Sequence, residues 1–387
     1  MTIYLDNAAT THPKPPQSLE RVFEALKKGV GTPGRGAHFT SKKANDAVQD
    51  IRKRIARFFG LYDDFRAVFT YSGTDALNLA IKGFLRDGDH VVISGMEHNS
   101  VLRPLKGLER EGKITLDIAP CDEKGCLLMD EFSGCFKDNT RLVVISHASN
   151  VTGAVQPIEK IAEVVRKRNA FLLVDAAQTA GVLPIHMRNQ GIDLLVYAGH
   201  KGLFGLQGTG GLLIGERVTG LKPWREGGTG FDSKSEHQPL NWPEAFEAGT
   251  HNVPGILSLN EGLNFIEETG IENIANKEME HLRYLWENLK TYENIKLYGP
   301  APHENRVAVL SFTIDGWDTE DIGQILDQNY GISVRTGLHC APLAHKTIGT
   351  YPKGTVRVSP GYFTTKQELK TFLKAIDNIA SIKVGWY

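Results

Sequence analysis

Charge of one sign is the first thing this sequence lacks. Lys and Arg number 44 against 45 Asp and Glu in 387 residues, so no whole-molecule field draws in nucleic acid or anionic lipid. Long apolar runs are also missing: no stretch approaches the roughly 20 apolar residues that cross a bilayer. The start, Met1-Thr-Ile-Tyr-Leu-Asp6, meets a carboxylate without the basic region and apolar run of a signal peptide. A soluble, cytoplasmic protein with no membrane or nucleic-acid partner is expected. Cysteine is scarce. Cys121, Cys126, Cys135 and Cys340 are too irregularly spaced for a disulfide framework, and no C-x-x-C pair sets up structural zinc. Free thiols and no metal are predicted, the first three being small, partly buried hydrophobes. The phosphate-loop pattern G-x-x-x-x-G-K-[ST] is absent, which disfavours a nucleotide enzyme. So are internal repeats and low-complexity tracts, which disfavours an array or a disordered scaffold.

What the chain has is alternation. Between residues 65 and 215 a short β-branched run is followed by a turn rich in Gly, Ser or Asn and then by a helix-length amphipathic stretch. Ala67-Val-Phe-Thr70 precedes Ser72-Gly73-Thr74 and a helix predicted over 75–84; His90-Val-Val-Ile93 precedes Glu97-His98-Asn99-Ser100. The runs at 141–145, 171–174, 193–197 and 211–214 are nearly continuous apolar stretches, as in strands buried on both faces. The prediction is an α/β fold, a mostly parallel sheet sandwiched by helices, with ligands received at the carboxyl ends of its strands. Helices are expected over 253–268 and 271–289. Beyond Tyr298-Gly-Pro-Ala-Pro302, strands at 307–314 and 355–358 and helices near 319–328 and 365–379 make a smaller α+β C-terminal unit. The expected division is 16–262 for the large domain and 1–15 plus 263–387 for the small one.

Polar residues fall in the loops where that sheet would bind a ligand. Asp175 ends a hydrophobic strand, and a buried carboxylate there needs a cation; alone it reads equally well as a cap. Lys201 follows another strand in Gly199-His200-Lys201-Gly202, among glycines that let backbone approach a ligand. Burial would lower its pKa enough for Schiff-base chemistry, although an isolated loop lysine is usually just solvated. Together the two mean more. A pyridinium nitrogen needs an anion, an aldehyde needs an amine, and a phosphate needs N–H groups at a helix N-terminus. Asp175, Lys201 and Ser72-Gly73-Thr74 supply all three, and His98 can stack on a ring.

Seven segments carry a resemblance: Tyr4-Leu-Asp-Asn-Ala-Ala9, Glu97-His98-Asn99, Ser149-Asn150-Val-Thr-Gly153, Val174-Asp175-Ala-Ala-Gln178, Gly199-His200-Lys201, Gly249-Thr250 and Val334-Arg335-Thr-Gly-Leu-His-Cys340-Ala341. In this order, over nearly the whole chain, they resemble the cysteine desulfurases of the class V aminotransferase superfamily, the group with a compact cysteine loop. The resemblance implies a fold-type I enzyme holding pyridoxal 5'-phosphate on Lys201. Asp175 would face the ring nitrogen, Gln178 the ring hydroxyl and His98 the ring itself. Gly73, Thr74 and His200 would hold the phosphate, with Thr250 reaching it from the other subunit of a homodimer. Arg357 would bind the substrate carboxylate with Asn150 nearby, a task suited to the planar guanidinium fork. Cys340 would take the sulfur of L-cysteine as a persulfide, leaving alanine, and hand it to a small sulfur-acceptor protein that stimulates turnover. His98 is the expected proton carrier.

Two departures stand against the pattern. Ala198 occupies the place of a phosphate-binding serine, and the stretch from Lys201 to Gly205 is one residue longer than usual, with Leu206 in place of a proline. The rival readings are a selenocysteine lyase acting on L-selenocysteine, another class V aminotransferase or lyase that has no use for Cys340, and a catalytically dead scaffold subunit.

Overall fold

In a computed structural model, which describes residues 2–34, 36–231 and 234–382, the chain opens with β1 (Ile3–Tyr4), then α1 (Pro16–Lys27) and α2 (Phe39–Phe58). The Gly29-Val-Gly-Thr-Pro-Gly34 link has G-x-G-x-x-G spacing, but it joins helix to helix and so lacks the strand entry of a dinucleotide turn.

The alternating region builds one sheet. β2 (Ala67–Thr70), β3 (Asp89–Ser94), β4 (Ile114–Ala119), β5 (Thr140–Ser146), β6 (Phe171–Asp175), β7 (Leu194–Ala198) and β8 (Gly210–Ile214) lie in the order β2-β8-β7-β6-β5-β3-β4. The strands β4, β3, β5, β6 and β7 are parallel; β8 is antiparallel to both its neighbours. The helices α3 (Gly73–Phe84), α4 (Asn99–Arg110), α5 (Met129–Gly134) and α6 (Ile158–Lys167) connect strands, and α7 (Val253–Thr269) packs beside α1 and α2.

Successive strand residues serve opposite faces. Leu172 and Val174 join one apolar layer with Ile55, Ile161 and Leu259; Leu173 and Val196 join the other with Leu77, Ile81 and Val101. Because both faces are dry, these strands show no polar alternation. The mostly parallel, helix-flanked sheet predicted from the sequence is the sheet observed.

A second sheet follows α8 (Ile271–Leu289). β9 (Ile295–Tyr298), β10 (Leu310–Ile314), β12 (Arg335–Gly337) and β13 (Thr355–Val358) form an antiparallel sheet ordered β12-β13-β10-β9. Helices α9 (Thr319–Tyr330), α10 (Pro342–Thr347) and α11 (Lys366–Ala380) accompany it, and β11 (Ile332–Ser333) pairs in parallel with β1. Its core gathers Leu282, Leu310, Phe312, Val356 and Phe372, and takes in Leu5 from the start of the chain.

Most predicted limits shift by one to three residues, two of them for a visible reason. Residues 307–309 are not strand: Val307 N donates to Gly153 O at 2.9 Å, holding the segment against the turn at Gly153. Thr365 lies outside α11 as its cap, exchanging bonds with Glu368 in a capping box. Among the described residues no helix is long and apolar enough to cross a membrane.

Candidate active site

The carboxyl ends of β2, β3, β5, β6 and β7 open on one cleft of about 820 Å³. Gly73, Thr74, His98, Asn150, Asp175, Gln178, His200, Lys201 and Arg357 all line it.

One end of the cleft is built for an anion. Ser72 caps α3, its Oγ accepting from Asp75 N at 3.1 Å, which leaves Gly73 and Thr74 in the first turn at the positive end of the helix. The neighbouring β8 comes so close that a Cβ on Gly210 would stand 2.4 Å from the Ser72 carbonyl carbon; only glycine permits this contact. Thr74 Oγ1 lies 2.7 Å from Ser100 Oγ. Among the described residues, buried His200 Nδ1 has no hydrogen-bond partner, a costly state that a ligand atom would relieve.

His98 caps the next helix. Its Nδ1 accepts from Ser100 N at 3.1 Å and lies 2.9 Å from Ser100 Oγ. A ring nitrogen that accepts a backbone N–H carries no proton, so the neutral ring is protonated on Nε2. Burial, with Lys201 and the arginines adding to it, pushes the imidazolium down to about 4, keeping this ring neutral near pH 7.

Farther in, Asp175 Oδ1 accepts from Ala177 N at 2.9 Å. Burial raises its pKa, while that N–H and the charge of Lys201 oppose the rise. Burial likewise brings Lys201 down to about 8, against the pull of Asp175 and with help from Arg357 and Arg335. The amine is therefore close to its neutral, nucleophilic form at mild pH. Gln178 Nε2 donates to Ala8 O at 3.0 Å, fixing that side chain against the N-terminal segment.

Two guanidinium groups face the opposite wall. Arg335 and Arg357 are direct cross-strand partners on β12 and β13, and both line the cleft. Like charges opposite each other repel, so the pair calls for anions. Arg357 is fully buried: Nη2 is held by the carboxylate of Asp6, Nη1 donates to Asn150 O at 3.1 Å, and Nε is unpartnered among the described residues. Arg335 Nη2 donates instead to Cys340 Sγ at 3.3 Å. The thiol sits on the four-residue link from β12 to α10, with His339 and Cys340 both in left-handed backbone at φ 48° and 58°. Two further bonds pin that link: Asn99 N to Cys340 O at 2.7 Å and Asn150 Nδ2 to His339 O at 2.8 Å.

The profile of the class-V aminotransferases matches residues 3–372. The chain belongs to the class-V aminotransferase family. A probable cysteine desulfurase of Methanothermobacter thermautotrophicus is 33% identical over 385 residues, covering 98% of this chain and 95% of that protein. A probable cysteine desulfurase of Mycolicibacterium paratuberculosis is 34% identical over 98% of this chain, which spans only 55% of that longer relative. Among solved structures, the apo cysteine desulfurase of Thermococcus onnurineus superposes with a TM-score of 0.91 at 31% identity, over 98% of this chain and 94% of that one.

In this class-V chain not every expected residue meets in the cleft. Thr250 is exposed and outside it; its carbonyl accepts from Tyr71 Oη at 2.6 Å. Cys340 is exposed and is tied to the cleft through Arg335. Ala198 lines the cleft with a methyl group, so no hydroxyl is offered there. Leu206 uses the N–H that a proline would lack, donating to Ser258 Oγ at 2.8 Å. Asp6, Ser100 and Arg335 went unassigned from the sequence. Arg335 had a signal, standing five residues before the thiol in a segment that already drew attention. Asp6 and Ser100 had none, since only folding brings them to Arg357 and Thr74.

Proposed function

We propose that the chain is a pyridoxal 5'-phosphate-dependent cysteine desulfurase that converts L-cysteine to L-alanine and carries the sulfur as a persulfide on Cys340. The observation that carries this reading is one cleft in which a buried lysine beside an aspartate is faced by two arginines, one of them bonded to a thiol at the rim. The residues fit the cofactor: unpartnered His200 Nδ1 and the open first turn of α3 await an anion, and raised Asp175 awaits a cationic N–H. Gly73, Thr74 and His200 would hold the phosphate, Asp175 the ring nitrogen, Gln178 the ring oxygen and His98 the ring face. Bound there, the cofactor supplies an electron sink for a carbanion next to an amine.

The chain does the rest. Lys201 would hold the cofactor through its amine and would serve as the base for the substrate Cα proton, near its working pH. Arg357 and Asn150 orient the substrate carboxylate, with Asp6 giving up part of its hold on the guanidinium. Neutral His98 offers Nε2–H as a donor and returns protons. Cys340 Sγ bonds to the substrate sulfur as the Cβ–S bond breaks, and the carbon fragment takes up a proton and leaves as alanine. The link carrying Cys340 is short and pinned, so a small acceptor protein must come to the thiol. Thr250, outward-facing, is assigned to the phosphate of a second copy in a homodimer. Residues 16–262 make the cofactor-holding domain, and 1–15 with 263–387 the one that carries the thiol. A reducing cytoplasm suits the four free cysteines.

The deciding assay follows alanine release from L-cysteine and from L-selenocysteine, with dithiothreitol, for the protein and for Cys340→Ala. Alanine and sulfide from cysteine, lost in the variant, support the proposal. Activity on selenocysteine alone makes the chain a selenocysteine lyase, and activity indifferent to Cys340 makes it another class-V aminotransferase or lyase.

A further inference from the structure

The segment before α1 does something its motif does not explain. A carbonyl oxygen has two lone pairs, yet three donors converge on His200 O: Thr10 Oγ1 at 3.1 Å, Thr11 N at 3.2 Å and Lys14 Nζ at 2.6 Å. Thr11 Oγ1 reaches the next carbonyl, that of Lys201. Both carbonyls flanking the Lys201 backbone are thus held by one short strap.

The strap is itself braced. Tyr4 Oη lies 3.0 Å from both Asp6 O and Thr10 O, its one hydroxyl proton shared between them, and Asn7 Oδ1 accepts from His12 N at 3.0 Å. Its other end is fastened beyond β13, where Ala8 N donates to Ser359 Oγ at 2.9 Å and Asn7 N to Ser359 O at 3.1 Å. Among the described residues Lys14 has no carboxylate partner, and burial brings its ammonium down to about 8. A buried cation spent on a carbonyl is a poor way to stabilise a turn; it is a strong way to fix one peptide, because charge-assisted bonds are shorter and stronger than neutral ones.

We propose that Lys14, with Thr10 and Thr11, is a positioning group that locks the His200–Lys201 peptide so that the Lys201 amine is presented to pyridoxal phosphate. This rests on the cofactor reading above. The strap is fastened to Ser359 beyond β13 while the lysine turn follows β7, so the lock also ties the position of Lys201 to the strand that carries Arg357.

The test uses the full chain as wild type, Lys14→Met, Lys14→Arg and Thr11→Val. Three quantities are measured: the Kd for pyridoxal 5'-phosphate by absorbance titration of the apo-protein, the apo thermal midpoint, and KM against kcat for L-cysteine. Lys14→Met is expected to raise Kd about tenfold or more and to lower kcat with KM nearly unchanged, and Lys14→Arg to restore both within about threefold. The apo thermal midpoint should barely move. An unchanged Kd in Lys14→Met overturns the proposal, as does an arginine variant impaired as badly as methionine, or a Kd change matched by an equal loss of apo stability. If Lys14→Met does not fold, Thr11→Val decides by the same three readings. A wild type that takes up no pyridoxal phosphate removes the cofactor reading and the strap's role together; normal wild-type uptake with unaltered Lys14→Met uptake removes the strap's role alone.

Discussion

Lys201 and Cys340 both follow a strand, but they are held in opposite ways. The lysine turn lies between two strands of the large sheet, its carbonyls clamped by the strap and its amine facing Asp175 inside the fold. The thiol lies just beyond a three-residue edge strand, exposed, on a link with two consecutive left-handed residues that is hydrogen-bonded to Asn99, Asn150, Arg335 and Thr355. Left-handed backbone at non-glycine residues costs on the order of 1–3 kcal/mol each, so the link persists only while its pins do. One half of the site is preformed and dry; the other is open to a visitor. That is the division expected where chemistry on a small molecule must be followed by delivery to a macromolecule.

The comparison breaks first at its deepest point. Lys201→Ala should reduce alanine formation from cysteine and from selenocysteine alike, by at least about 10⁴-fold, because attachment and base are lost together. Cys340→Ala should separate the substrates, lowering the cysteine rate by about 10³-fold and leaving the selenocysteine rate within about threefold, since only the sulfur path needs the thiol. Equal losses on both substrates would make the two halves one unit.

Stability tests the buried half without any substrate. Folded Lys201 titrates near 8 and the unfolded side chain near 10.5. Between those values the unfolded chain holds the extra proton, so folding strengthens as pH rises through the window. Apo wild type should therefore gain on Lys201→Met by on the order of 2 kcal/mol between about pH 8 and about pH 10.5, read from denaturant midpoints. Arg335→Ala should cost about tenfold in kcat on cysteine and little on selenocysteine, the loss of one charged bond to sulfur; a matching loss on both would assign Arg335 to the carboxylate instead. The smallest effect is expected for Thr74→Val, about fivefold in the Kd for pyridoxal phosphate.

The sequence showed the large sheet well because its strands are dry on both faces. Residues 67–70 and 271–289, read from pattern alone, are elements at those same limits. β4 escaped because it is an edge strand with Thr115 and Ile118 exposed, so it lacks the continuous apolar run that marked its neighbours. The short β11 and β12, of two and three residues, are defined by pairing rather than composition, and no local pattern announces them. In the cleft, the loop residues of the parallel strands were legible because topology dictates where such loops gather. Residues whose role is to hold another side chain, such as Asp6 on Arg357 and Lys14 on His200, were not. Their partners stand 351 and 186 positions away, and neither carries a motif that names its partner.

The pairing of Arg335 with Arg357 has one more consequence. Residues paired directly on neighbouring strands share a face, so Arg335 meets Arg357 on the cleft side only while the β12–β13 register holds. Removing one residue from β12 would turn Arg335 away from the cleft and break its bond to Cys340 Sγ. A slip of one residue in that pairing would therefore displace the thiol's charged partner without altering a single atom of the thiol itself.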